Sequence, residues 1–374
     1  MSRTIKIAAV QMFAQPAPVT ERLQRAEKLV AEAAGQGAQL VVLPEVFNTG
    51  YEYTDHNYTL PEPIDGPTVT WMKQTAAHYG VHLAGTLLLL DIEDVYNTLL
   101  LVAPDGRLWR YDKNYPWYWE RAYFREGRAI TVADTDLGRL GLMICWDAAH
   151  PELWARYAGK VDAMVISSCP PTFNEMILVF PDGRRLDMEG MGPLTQEIKR
   201  TGAGIFGEKL LRQSAALGVP VVNTTGTGHF SSPVPLPHLS LMIGTLSRPD
   251  FWPYLPQAGQ VRVEAGYFNE TYIASAHGHI LAKVPPDTEG CVVSEVTLTD
   301  SPPQPRAPQP RFGTVFLTYL LDQILNALMV PVYRRELRRT FGPHMAPVSV
   351  QTQTWVAAVL ATGLIGYWLG RRRC

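Results

Sequence analysis

The sequence predicts an α/β fold, a sheet covered by helices, and three observations carry that prediction. Strand-like and helix-like segments alternate from residue 4 to about residue 299. The strand-like segments are short apolar runs, the pattern of strands buried on both faces. The helix-like segments keep their apolar residues on one face and stop at glycine.

Taken in order, residues 5–11 read as a strand. Residues 19–34 follow as a helix, with Leu23, Ala26, Val30 and Ala33 on one face and Gly35 to end it. A second apolar strand, 39–44, ends at Glu45. Residues 67–79 are helical, and 81–90 and 98–103 are strands, the latter turned by Pro104-Asp105-Gly106. Buried strands follow at 141–144, 163–167 and 219–223, with a helix at 204–217 between the last two. A hairpin at 271–276 and 280–284 and a closing strand at 292–298 complete the domain.

Two long segments, 173–200 and 229–263, are rich in Pro, Met and aromatics and do not fit as plain connections. Loops of that length act as lids or stay disordered. The predicted organisation is a catalytic domain at 1–300, a Pro-rich linker at 301–311 and an amphipathic, interfacial helical segment at 312–345. A C-terminal transmembrane helix with a basic tail follows at 346–374. That last stretch has no charge from Ala346 to Gly370, tryptophans at 355 and 368, and Arg371-Arg372-Arg373 beyond them. The alternative for it is a buried helix packed on another subunit.

Composition narrows the chemistry. Hydrophobic residues make up 46% and charged residues 18%, enough for a sizeable core. A net charge of −2 gives no argument for nucleic acid. No glycine-rich phosphate cradle follows a strand. The four cysteines lie far apart, which argues against structural zinc and against a disulfide framework. No metal or organic cofactor is expected, and the catalytic domain is expected in the cytoplasm, tethered by one C-terminal pass.

Three polar residues end apolar strands: Glu45 in LVVLPEVFNTGY, Lys113 in LWRYDKNYPWYWERAYF, and Cys145 in GLMICWDAAHPELW. Singly, each reads as a turn residue, a surface charge or a packed thiol. Together they meet a chemical need. A thiol at neutral pH is mostly protonated, so a nucleophilic Cys requires a base or a nearby positive charge. A buried carboxylate takes the proton and passes it to a leaving amine, and a lysine stabilises the oxyanion. A Cys/His alternative through His150, His229, His277 or His279 lacks any recognisable context.

The blocks LVVLPE, DKNYPWYWERAYFREG and GRLGLMICWDAAHPELWARYAGKVDAMVIS resemble the three signature blocks of the nitrilase superfamily of carbon–nitrogen hydrolases. LLRQSAALGVPVVNTTGTG and SAHGHILAKVPPDTEGCVVSEVTL are similar to its later strands. The resemblance implies a four-layer αββα sandwich paired into homodimers or larger homo-oligomers. It implies Glu45 as general base, Lys113 as oxyanion stabiliser, Cys145 as nucleophile and Glu120 as the second, orienting glutamate. The Trp146 N–H completes the oxyanion hole, and Tyr51, Trp117, His150 and Cys169 are candidates to line the substrate site. The sequence CWD is closer to amidase blocks than to the CWE of nitrilases. The expected protein is a membrane-anchored amidase working through a thioester on a small, lipophilic amide, with membrane lipids as partners. Nitrile hydrolysis, N-acyl transfer and a catalytically silent tethered scaffold are the alternatives.

Overall fold

The computed structural model describes residues 2–347, apart from 173–174, 193–194, 197–198, 200–203, 300, 302 and 306–315. The chain begins with a long strand, Ser2–Phe13 (β1), and the helix Val19–Gly35 (α1). Leu40–Val42 (β2), the helix Pro67–Tyr79 (α2), His82–Asp91 (β3), Asp94–Val102 (β4) and Leu108–Asp112 (β5) follow. Proline at the first turn of α2 and a left-handed Gly80 behind it set that helix's two ends. Then come Val132–Thr135 (β6), Gly138–Ile144 (β7), the helix Pro151–Tyr157 (α3) and Ala163–Ser167 (β8). Beyond the short strands Ile177–Val179 (β9) and Arg185–Asp187 (β10) lies the helix Leu210–Leu217 (α4). It leads into Val221–Thr224 (β11), Gly226–Thr227 (β12) and Phe230–Pro233 (β13). The helix Pro237–Gly244 (α5), Arg262–Ala265 (β14), Tyr272–Ala274 (β15), Ile280–Lys283 (β16) and Gly290–Thr299 (β17) complete the domain, and Phe316–Phe341 (α6) follows it.

These strands make two large sheets. One runs β12-β1-β2-β3-β4-β5 with β17 antiparallel along β1, and the other runs β16-β15-β11-β8-β7-β6. Alternation along single strands explains why both faces of each sheet are apolar. In β1, Ile5, Ile7 and Ala9 enter a core shared with Leu140, Leu142 and Val165 of the other sheet. Ala8, Val10 and Met12 point the opposite way, against Leu23, Ala26 and Val30 of α1 and Val69 and Met72 of α2. On the far side Met143, Met164 and Ile166 pack with Leu153 and Trp154 of α3 and Leu210 of α4. The order through the molecule is therefore helix, sheet, sheet, helix.

The two long segments expected as lids or disorder contain ordered structure among the described residues. Parts of both pair across the chain into a third sheet, β10-β9-β14-β13, backed by α5 and the turns at Pro249–Gln260. The interfacial helix expected within 312–345 corresponds to α6. Its residues Met329, Val330, Tyr333 and Leu337 are buried, and Met329, Tyr333 and Leu337 join the central core. That face is covered by the domain rather than by a headgroup layer. Among the described residues no helix is long and apolar enough to cross a membrane. Most of the expected span at 346–374 lies outside the described residues, which end at 347.

Candidate active site

The strands end in a common place. Glu45 follows β2, Lys113 follows β5, Cys145 follows β7 and Cys169 lies just past β8. Cross-links tie those ends together: the Ser167 hydroxyl donates to the Leu43 carbonyl (2.8 Å) and the Glu45 N–H to the Ser168 carbonyl (3.1 Å).

Two single-turn helices carry the other half of the cluster, and both are closed in the same way. Tyr118–Ala122 holds Glu120, and Cys145–Ala149 begins with Cys145 itself. In each, the acid at the third position accepts the N–H of the residue preceding the turn: Trp117 to Glu120 Oε2 (2.6 Å), Ile144 to Asp147 Oδ2 (3.1 Å). Each turn opens on a positive φ, 27° at Tyr118 and 48° at Cys145. Such backbone costs a non-glycine residue about 1–3 kcal/mol and persists only where its surroundings hold it. Asp147 is part of that hold. It is fully buried and also accepts the Tyr111 hydroxyl (2.7 Å) and the Tyr115 N–H (2.8 Å).

Lys113, Glu45 and Glu120 form a buried ionic network. Lys113 Nζ donates to Glu45 Oε1 (2.8 Å) and to both oxygens of Glu120 (2.9 and 2.7 Å). Lys113 is 0% exposed and both glutamates 2%. Asn97 Nδ2 donates to the same Glu45 Oε1 (2.7 Å), and the Cys169 N–H donates to Glu45 Oε2 (2.9 Å). Cys145 is buried within electrostatic reach of Glu45 and Lys113 and close to Cys169.

The electrostatics follow from burial. Burial raises Glu45 above the ordinary glutamate value, and the Lys113 charge pulls it back. Burial also opposes the Lys113 ammonium, but Glu120 and Glu45 outweigh it and hold the lysine well above its usual value. For Cys145, burial and the Glu45 charge push the thiol well up against the counter-pull of Lys113. The resting group is a thiol held beside a base, which is what proton transfer on demand requires.

The remaining sequence candidates separate into two sets. Tyr51 joins the network directly, its hydroxyl donating to Glu120 Oε1 (2.6 Å). Trp117 joins through its N–H, and Cys169 through its N–H rather than its sulfur, which lies against Gly226. Trp146 is buried beside Cys145 and in edge contact with His150. His150 itself stacks on Tyr115 (3.6 Å between rings) and pairs with Glu152 (3.0 Å), with no hydrogen bond to the Glu45–Lys113–Glu120 network.

Sequence reasoning missed Asn97 and Tyr53. Asn97 stands between Tyr96 and Thr98, just before the apolar run 99–102 of β4, so nothing local marks it out. Tyr53 hydrogen-bonds Tyr51 (2.8 Å) and sits among Trp117, Trp119, Tyr123 and Phe230. Beside this aromatic group a cavity of about 30 Å³ touches Asn97 and Glu120, room for about one water. A larger hollow of about 420 Å³ lies in the third sheet between Arg184, Arg185, Arg248 and Phe251, and none of Glu45, Lys113, Glu120 and Cys145 lines it. Among the described residues no His, Cys, Asp and Glu are grouped to hold a metal ion.

Residues 6–177 match the family model for carbon–nitrogen hydrolases. Over 152 residues the chain is 36% identical to a nitrilase of Pyrococcus abyssi, covering 40% of this chain and 58% of that protein. Over 180 residues it is 32% identical to an omega-amidase of Xenopus laevis, covering 45% and 64%. The matched stretch thus spans less than two thirds of these relatives. A CN-hydrolase superfamily protein of Xanthomonas campestris superposes with a TM-score of 0.56 at 17% identity, over 80% of this chain and 91% of that one. Nit3 of Saccharomyces cerevisiae gives 0.54 at 22%, over 78% and 90%, and an amidase of Nesterenkonia sp. gives 0.56 at 17%, over 78% and 89%. At these identities the likeness is one of fold.

Proposed function

We propose, from the match of residues 6–177 to the carbon–nitrogen hydrolase family model, that the chain is an amidase with Cys145 as nucleophile. The observation that carries the reading is the buried Glu45–Lys113–Glu120 network at the strand ends where Cys145 also emerges. Glu45 takes the thiol proton as Cys145 Sγ attacks the amide carbon. Lys113 and the Trp146 N–H stabilise the oxyanion. Glu45 then gives its proton to the departing amine, leaving a thioester. Water attacks the thioester carbon, its proton goes to Glu45 and on to the sulfur, and the acid is released.

The substrate we propose is an amide with an apolar acyl group. The rings of Trp117, Trp119 and Phe230 gathered about Tyr53 support the apolar group, and the omega-amidase among the relatives supports an amide. Membrane attachment through 346–374 is proposed from the sequence pattern alone, and fractionation of the full chain against a version ending at 347 tests it.

The activity is tested by screening amides and nitriles of graded chain length against the full chain and Cys145→Ala. Amide turnover that vanishes in a folded Cys145→Ala protein is expected. Comparable turnover in that variant, or nitriles as the better substrates, overturns the assignment.

A further inference from the structure

Helix α6 lies beyond the residues that match the hydrolase family, yet it touches the supports of both catalytic glutamates. Its buried stripe is Met329, Tyr333 and Leu337, spaced four apart as one helix face requires. Tyr333 is the polar member. Its hydroxyl accepts the Val95 N–H (2.9 Å) and donates to Asp94 Oδ1 (2.9 Å), at the start of β4. Two residues further along β4 stands Asn97, the donor to Glu45.

The face of the same ring carries the Arg125 guanidinium, 3.9 Å from its centroid. Arg125 in turn donates to the Arg121 carbonyl, inside the turn that holds Glu120, and its own N–H donates to the Val95 carbonyl (2.8 Å). On the other side of the turn, Tyr58 donates to the Ala122 carbonyl (2.9 Å). Past the helix, Arg338 holds the Met345 and Ala346 carbonyls (3.0 and 3.1 Å), and the Ala346 N–H donates to the Glu93 carbonyl. The segment is thus fastened at two places to the β3–β4 end of the first sheet.

We propose that Tyr333 is a positioning residue for Glu45 and Glu120, and that α6 is a brace through which the C-terminal segment sets the activity of the site. The proposal rests on the hydrolase reading above. Tyr333 touches none of the reacting groups. It acts through the start of β4 on Asn97 and through Arg125 on the turn of Glu120. Small displacements of such a turn change the rate far more than the binding of substrate, because Lys113 follows Glu120.

The test uses the full chain and three variants: Tyr333→Phe, Tyr333→Leu and, as a surface control on the same helix, Arg339→Ala. Each is titrated with iodoacetamide, reading Cys145 by mass with Cys145→Ala as the blank, so that turnover is expressed per intact site. The fastest amide of the screen is the substrate. Tyr333→Leu is expected to lose on the order of ten-fold or more in kcat per labelled site with KM within about two-fold. Tyr333→Phe, which keeps the ring under Arg125 but not its two hydrogen bonds, falls between that variant and the parent, and Arg339→Ala matches the parent. If the Tyr333 variants lose labelled sites and thermal stability while kcat per site stays at the parent value, the role is structural only and the brace is overturned. Should the Cys145→Ala protein turn the amide over as the parent does, the hydrolase reading falls and takes the brace with it.

Discussion

Replacing Lys113 by Met keeps the length of the side chain and removes its charge. Lys113 makes three hydrogen bonds of 2.7 to 2.9 Å, to two carboxylates that are almost wholly buried. Removing one partner of a buried pair costs about 3–5 kcal/mol, because the remaining charge is left uncompensated. Against the 5–15 kcal/mol roughly typical of a folded domain, that is a large share, so the variant should fold but unfold early in urea. The loss must also depend on pH. Glu45 already lies above the ordinary glutamate value because it is buried, and Lys113 is the main influence pulling it down. Without the lysine its folded value rises further, so the folded state binds a proton that the unfolded state releases. Stability of the variant then falls as pH rises through the window between the ordinary glutamate value and that raised one, and recovers toward acid. Urea midpoints of the parent and Lys113→Met at pH 5 and pH 8 measure this: the gap is expected to be wider at pH 8. Turnover should fall by roughly 10²–10³ or more, the usual loss for one oxyanion donor. An equal gap at both pH values would show that the deficit is lost packing, and the ionic account of the network would be refuted.

Two further outcomes follow from single contacts. Asn97→Leu removes the donor that favours the Glu45 carboxylate, so kcat/KM should fall most on the acid side of its pH profile; a uniform loss across pH contradicts that role. In Gly226→Ala the new Cβ lies 2.4 Å from the Cys169 sulfur and 2.8 Å from the Ala14 Cβ, an overpacking that costs about 1–3 kcal/mol. Because the Cys169 N–H holds Glu45, thermal stability and turnover are expected to drop together, and an unchanged turnover shows that Glu45 does not need that donor.

The strand-end residues were legible because each is a charge or thiol set abruptly against an apolar run, and the run must end where the side chain emerges. Glu45, Lys113 and Cys145 are of this kind. Glu120 needed the family resemblance, since nothing local distinguishes it from the other acids of its segment. Asn97 lies just ahead of the strand expected at 98–103, where an amide reads as part of a turn rather than as a contact to the end of β2 in the same sheet. The third sheet was hidden for another reason. β14 pairs with β9 and β13, and β9 lies far back in the chain, so no window of sequence contains the pairing. In α6 the stripe Met329, Tyr333 and Leu337 was available, but an apolar circumference drew the reading toward a membrane surface instead.

The ten-residue ladder between β1 and β17 bears on how the molecule is made. Strand β1 has its longest partner in β17, at the far end of the domain, so one side of β1 stays open until residue 299 has been synthesised. Such late, long-range pairing is slow and leaves a strand edge available for wrong partners meanwhile. Helix α6 is translated later still, and it docks on a surface that the closed domain provides. On the proposed brace, assembly and activation run in sequence: the sheets are complete first and the support of the glutamates arrives last, with α6.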